Sequence, residues 1–157
     1  MVVKDFYNLL TADITLSTLL GATVADSKIY PLQMPLDAVL PVVIYKIADE
    51  GTLDENINST IIHYDCISDN YETAKLIQER ISELLDIEDA IAGKILHGLS
   101  KYLNSRMEMI FNFKEVILDI FHYVISFEIN YVNSYGFLLQ ENGIYLAQEN
   151  GYNFRIV

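Results

Sequence analysis

Phe121-His122-Tyr123-Val124-Ile125-Ser126-Phe127-Glu128-Ile129-Asn130-Tyr131 is the stretch on which the fold turns. Phe121, Tyr123, Ile125, Phe127, Ile129 and Tyr131 recur at strict period two. Side chains alternate across a strand, so this pattern puts six aromatic or β-branched groups on one face and His122, Ser126 and Glu128 on the other. It predicts a long strand over 117–132, half-buried against something apolar. The preceding residues, 105–115, read as a second long strand beside it.

Working outward toward the N-terminus, residues 59–67 form another alternating strand, with Ile62, Tyr64 and Cys66 opposed to Ile61, His63, Asp65 and Ile67. The β-branched run after Pro41, through Tyr45 and Ile47, predicts a strand that begins at the proline. Residues 49–58 between these two strands read as an acidic connection. Two short helices are expected over 2–20. Val3, Phe6, Leu9 and Leu10 supply one apolar face, and Leu16, Leu19 and Leu20 the next. Asp13 is placed to cap the second helix, and Gly21 to end it in a left-handed conformation. A longer helix is expected over 70–86, with Asp69 and Glu72 as a capping pair. Tyr71, Ala74, Ile77, Ile81, Leu84 and Leu85 form its stripe; Lys75, Glu79, Arg80 and Glu83 lie outside the stripe, toward solvent. Residues 87–104 read either as a short helix over Ala90–Leu103 or as an irregular segment broken by Gly93 and Gly98.

Gln140-Glu141-Asn142-Gly143 recurs as Gln148-Glu149-Asn150-Gly151. Asn-Gly tolerates positive φ at both turn positions, so the repeat predicts two tight hairpins. Phe137-Leu138-Leu139, Ile144-Tyr145-Leu146 and Tyr152-Asn153-Phe154 would be the strands. The expected class is therefore α+β: a small antiparallel or mixed sheet flanked by helices, with a C-terminal β-hairpin meander. The division is 1–133 for the main domain and 134–157 for the meander extension. Three short strands bury little alone, so the meander should pack on another surface.

The chain has 157 residues, which fits one domain with a small appendage. Ten Lys and Arg against 22 Asp and Glu set the formal net charge at −12. That balance argues against phosphate-tracking nucleic-acid binding and against anionic membranes. With 52% apolar residues the chain is not of disordered composition. Cys66 is the only cysteine, which excludes an internal disulfide and suits a reducing compartment. No run long enough to span a membrane occurs. Leu16–Ala25 is apolar and ends in Thr23-Val24-Ala25, but Asp5 and Asp13 interrupt the region, so it reads as structure rather than as a signal peptide.

Chemistry is sparse. His63 and Asp65 share a strand face while Cys66 faces away, and His97 and His122 are isolated in sequence, so no metal is expected. Neither G-x-S-x-G, H-E-x-x-H, a P-loop nor G-x-G-x-x-G occurs, and the His97/Ser100 spacing carries no triad geometry. The carboxylate pairs Asp49/Glu50, Asp54/Glu55 and Glu88/Asp89 fall in expected loops, where solvation keeps them ordinary. No cofactor and no enzymatic role are expected. Two candidate surfaces remain. The acidic stretch with Asp49, Glu50, Asp54 and Glu55 would present negative charge to a lumen or a partner. Tyr135, Phe137, Leu139, Tyr145, Tyr152 and Phe154 of the meander are candidates for a subunit or partner interface. The long strands 105–115 and 117–132 are further candidates, since edge strands offer unpaired N–H and C=O groups.

The order of these elements resembles the tail-terminator (tail-completion) proteins of tailed bacteriophages. The residues that carry the resemblance are Leu19-Leu20-Gly21, Ile29-Tyr30-Pro31, Leu40-Pro41 through Tyr45, and Tyr64-Asp65-Cys66. They continue with Tyr71, Ala74, Ile81, Leu84 and Leu85, and with Phe127-Glu128-Ile129-Asn130-Tyr131. The resemblance spans about residues 2–132; segment 87–104 is hard to match, and 134–157 lies beyond the pattern. It implies a structural protein of the virion tail or neck, assembled in the host cytoplasm. Such a protein forms a hexameric ring on the tail tube that stops tube polymerisation and joins the neck or head. The implied partners are the tube protein, a neck or head-completion protein and, as a further neighbour, a sheath protein, with DNA passing through the lumen unbound. A head-closure or head-tail joining protein is the alternative within this class. A small cellular α/β enzyme or ligand-binding domain is the alternative outside it, and would need a pocket lined by convergent polar groups.

Overall fold

The fold was obtained as a computed structural model that describes residues 2–54, 57–86, 96–97, 100–133, 140–141, 144–149 and 152–156. In chain order these form helices α1 (Val2–Ala12) and α2 (Ile14–Leu20), then strands β1 (Ile29–Pro31), β2 (Val42–Asp54) and β3 (Ile57–Ser68). Helix α3 (Tyr71–Leu85) follows, then strands β4 (Leu96–His97), β5 (Ser100–Glu115) and β6 (Ile120–Asn133). The chain closes with β7 (Gln140–Glu141), β8 (Ile144–Glu149) and β9 (Tyr152–Ile156). The sheet order is β1-β2-β3-β6-β5-β4, with β1 parallel to β2 and every other pair antiparallel. The expected α+β class, with a mixed sheet flanked by helices, is what the chain adopts.

The period-two stretch forms β6, at the middle of the sheet between β3 and β5. Tyr123, Ile125, Phe127 and Ile129 point to the face that the helices cover, and join Ile62, Tyr64 and Cys66 of β3 in the core. Phe6 and Leu10 of α1, Leu16 and Leu20 of α2, and Ala74, Ile77, Ile81 and Leu85 of α3 complete it from above. All of these are at most 5% exposed, so little of this face is left to water. Tyr64 meets Phe127 edge-on, with ring centroids 6.1 Å apart.

The helix ends follow from local chemistry. Asp13 caps α2 by accepting from the Leu16 amide at 2.7 Å, and Gly21 closes it at φ 60°. At α3 the cap is Asn70, whose Oδ1 accepts from the Thr73 amide at 3.1 Å. The expected Asp69/Glu72 pair is displaced by one position, because Asn70 is the residue that holds extended backbone at the helix start. Arg80 is not solvated as expected: its guanidinium reaches back to both Asp13 oxygens, at 3.1 and 2.7 Å. One carboxylate thus caps α2 and pins α3 to it. The Arg80 hydrogen bonds, foremost, hold the Asp13 carboxyl below its ordinary value, and the Leu16 amide adds to this.

Three expectations change. The stretch 49–58 is not a loop: β2 runs to Asp54 and β3 starts at Ile57. Asp, Glu and Gly disfavour strands, but cross-strand pairing through Ser59, Thr60 and Ile61 overrides that preference, with register shifts at Ile47/Asp49 and Thr52/Asp54. The second long strand begins at Ile120 rather than at 117, since residues 116–119 turn the chain, with Asp119 at φ 54°. Within 87–104, Leu96–His97 and the residues from Ser100 on are strand, not helix; 87–95, with Gly93, and 98–99, with Gly98, lie outside the described residues. In the meander, Glu141 pairs with Ile144 and Glu149 with Tyr152, the two-residue spacing expected of each Asn-Gly site. Phe137-Leu138-Leu139 lies outside the described residues, and the first arm is seen at Gln140–Glu141.

Candidate functional site

The sheet has a second face, and no described helix lies on it. Cross-strand register puts Asp65 and Ile67 of β3, His122 and Val124 of β6, and Phe111, Phe113 and Glu115 of β5 there. Phe111 and Phe113 stack with centroids 6.2 Å apart, and Phe113 stacks on the His122 ring at 4.4 Å and 7°. His122 Nδ1 lies 3.0 Å from an Asp65 oxygen, and Nε2 lies 3.7 Å from Glu115. Burial is the main cause that raises the Asp65 carboxyl above its usual range, and the His122 hydrogen bond opposes it. His122, isolated in sequence, is therefore a partnered residue. Its partner Asp65 is 57 residues away, so no local signal shows the pair.

The apolar row continues outward into solvent. Met109, Ile110, Phe111 and Phe113 are each 42–49% exposed along β5. At the turn that follows, Val116 is 80%, Ile117 92% and Leu118 62% exposed. Scattered exposed apolar residues are ordinary, but Met109, Phe111 and Phe113 on this face, followed at the turn by Val116, Ile117 and Leu118, form a patch of the kind that marks an interaction surface, while Ile110 points to the other side of β5. The signal in the sequence was the run Val116-Ile117-Leu118 between Glu115 and Asp119, which strand periodicity hid.

A second projecting arm is the far half of β2. Residues 46–53 are all exposed. Asp49 and Glu50 sit on this arm, with the Glu50 amide donating to Asp49 at 2.9 Å. Asp54 ends the strand, and Glu55 lies outside the described residues. Of the interface candidates, Tyr145 lies on β8 and Tyr152 and Phe154 on β9, whereas Tyr135, Phe137 and Leu139 lie outside the described residues.

Two hollows bear on ligand binding. One of about 150 Å³ is lined by Leu32, Ile44, Lys46, His63 and Asp65. It is smaller than the roughly 300–1,000 Å³ typical of small-molecule sites. Burial, helped by Lys46, lowers the His63 pKa, so the ring is held toward its neutral form. A larger one of about 540 Å³ lies between α1 and the 22–31 loop. Its polar groups bond to one another, Tyr7 to Ser27 at 3.0 Å and Tyr30 to Asp26 at 2.8 Å, rather than converging on the space. Burial, then Asp26, raises the Tyr30 phenol to about 12. Among the described residues no group of three His, Cys, Asp or Glu is arranged to hold a metal ion, and no helix is long and apolar enough to cross a membrane. Cys66 is buried in the core, and that burial raises its thiol pKa.

The sequence matches no family model and no curated protein. The fold does have a counterpart among solved structures. A chain in a structure described as the virion of a native gene transfer agent (GTA) particle superposes with a TM-score of 0.60. The two share 15% identity over 82% of this chain and 92% of the other. At that identity the likeness is one of fold.

Proposed function

We propose that this chain is a structural protein of a phage-type particle, and within that class a tail terminator. The observation that carries the reading is the fold shared, nearly end to end, with a chain of a virion particle. In support, the described residues direct much of their chemistry outward, with an exposed apolar row on β5 and an acidic arm on β2. The hollow beside His63 and Asp65 is small, and the polar groups Tyr7, Ser27, Tyr30 and Asp26 of the larger one bond to one another. The function is geometric rather than enzymatic. Six copies close into a ring on the tail tube, and the ring's far surface stops further tube subunits and meets the neck. Ring closure needs a head-to-tail interface between identical subunits. The net charge of −12 suits a conduit along which DNA slides without adhering. Residues 1–133 are the ring-forming domain, and 134–157 are an added contact element for a neighbouring subunit, the tube or the neck.

Native mass tests the reading. A ring of six would weigh about 107 kDa, six times the 17.9 kDa chain. A sixfold species, alone or on short tubes of the cognate tube protein, is the expected result. A monomer indifferent to the tube protein would defeat the proposal. Loss of particle assembly on deletion of 134–157, with the ring mass kept, would assign the meander to a tube or neck contact.

A further inference from the structure

Among the described residues both margins of the sheet are open over much of their length, and they differ in charge. At one margin, among the described residues, β5 is paired on its outer side only at Ser100 and Lys101, by β4; from Tyr102 to Glu115 that side faces no described strand. At the other margin, among the described residues, β1 covers only Val43 to Tyr45 of β2, so Lys46 to Asp54 face no described strand on that side. Open edges of this length are uncommon in isolated proteins, because their N–H and C=O groups invite another strand.

We propose that the ring closes by strand addition, with the β5 edge of one copy pairing with the β2 arm of the next. This inference rests on the ring reading above. Direction is fixed by topology. β2, β3, β6 and β5 alternate in sense, so β2 and β5 run opposite to each other. A rotation about an axis along the strands keeps their sense, so β5 meets the neighbour's β2 antiparallel, the pairing of the rest of the sheet. Charge agrees with this. From Tyr102 on, the open side of β5 carries Arg106 and Lys114 against Glu108 and Glu115, a net of zero in a chain of −12, so it offers the acidic arm no net repulsion. The arm carries Lys46 against Asp49, Glu50 and Asp54, a net of −2. Apolar groups also match: Ile47 and Leu53 of the arm are 45% and 61% exposed, as Ile110 and Phe111 of β5 are 49% and 43%. The continued sheet keeps its faces, which sets Ile110 and Asn112 on the same side as Glu50.

Charge exchange tests the pairing. One variant carries Ile110→Glu and Asn112→Glu on β5; the other carries Asp49→Lys and Glu50→Lys on the arm. All four positions are exposed, so both variants should keep the unfolding midpoint of the natural chain. The acidic β5 variant alone opposes like charges across the interface, and its association should weaken by roughly tenfold or more; the basic-arm variant alone meets a β5 edge of no net charge and should weaken less. Mixed in equal amounts, the acidic β5 meets the basic arm and the natural β5 meets the natural arm, so an alternating ring should regain the mass of the natural one. Native mass of the three samples, with short tubes present where the natural chain needs them, reads the result. Rings from both variants alone, or a mixture of folded variants that stays monomeric while the natural chain forms rings, overturns strand addition and leaves the ring reading standing. A natural chain that never forms a ring overturns both.

Discussion

The two faces of the sheet use the same kinds of residue to opposite ends. On the helix-covered face, Phe127, Ile125 and Tyr64 are nearly or fully removed from water, and the side chains of three helices fill the space between them. On the other face and along the margins, Phe111, Phe113 and Ile110 stand almost half exposed, and Ile117 almost fully. Composition does not separate the two regions. What separates them is whether this chain itself supplies a second layer. The closed face stabilises the fold of the chain; the open one is left exposed among the described residues.

That contrast can be broken first at its buried side. Phe127→Ala removes a fully buried ring that packs against Tyr64, and should cost about 3–5 kcal/mol in denaturant-induced unfolding. A loss below about 1 kcal/mol would mean that the closed face is not closed. Asp13→Ala removes the α2 cap together with the anchor of Arg80, and should cost about 1–2 kcal/mol. Its pH dependence sharpens the point. Because the folded-state value lies below the ordinary 3.8, the stabilisation is complete above that value and fades as pH falls through the folded value. Asp13→Asn should flatten this acid limb, and an unchanged limb would assign it elsewhere. Gly21→Ala forces a side chain onto φ 60°, with only Lys28 Nζ nearby at 3.9 Å, and should cost about 1 kcal/mol by thermal unfolding. The smallest effect belongs to the open side. Ile117→Ser should leave stability within about 0.5 kcal/mol. A large destabilisation there would show that the turn of the β5–β6 hairpin is covered by the chain's own residues.

The parts legible in sequence are those whose cause is local. Period two along β6, the Asp13 cap, the Gly21 stop and the spacing of the two Asn-Gly sites each depend on neighbours a few residues away, and each is found in the structure. The Asn70 cap was missed by one residue, since Asp69 and Asn70 are both good caps and only the backbone chooses between them. The acidic arm was misread for a different reason: its strand character comes from Ser59, Thr60 and Ile61 across the ladder, not from its own residues. The candidate surface was half legible. Of the two long strands taken as candidate edges, 105–115 falls in β5, which no described strand covers from Tyr102 on, whereas 117–132 falls mostly in β6, which lies between β3 and β5 and is no edge. The exposure of Val116, Ile117 and Leu118 was hidden in what read as strand.

By itself, then, the sequence determined the types of the three helices and of the apolar strands, both ends of α2 and much of the core, because periodicity and capping act within a turn or a strand. The tertiary structure alone decided the sheet order, the Asp65–His122 and Asp13–Arg80 pairs, and the two margins that no other described strand covers over most of their length. Those depend on which distant strands become neighbours. A strand becomes an edge only by where it lies in the sheet, and its own residues do not encode that place.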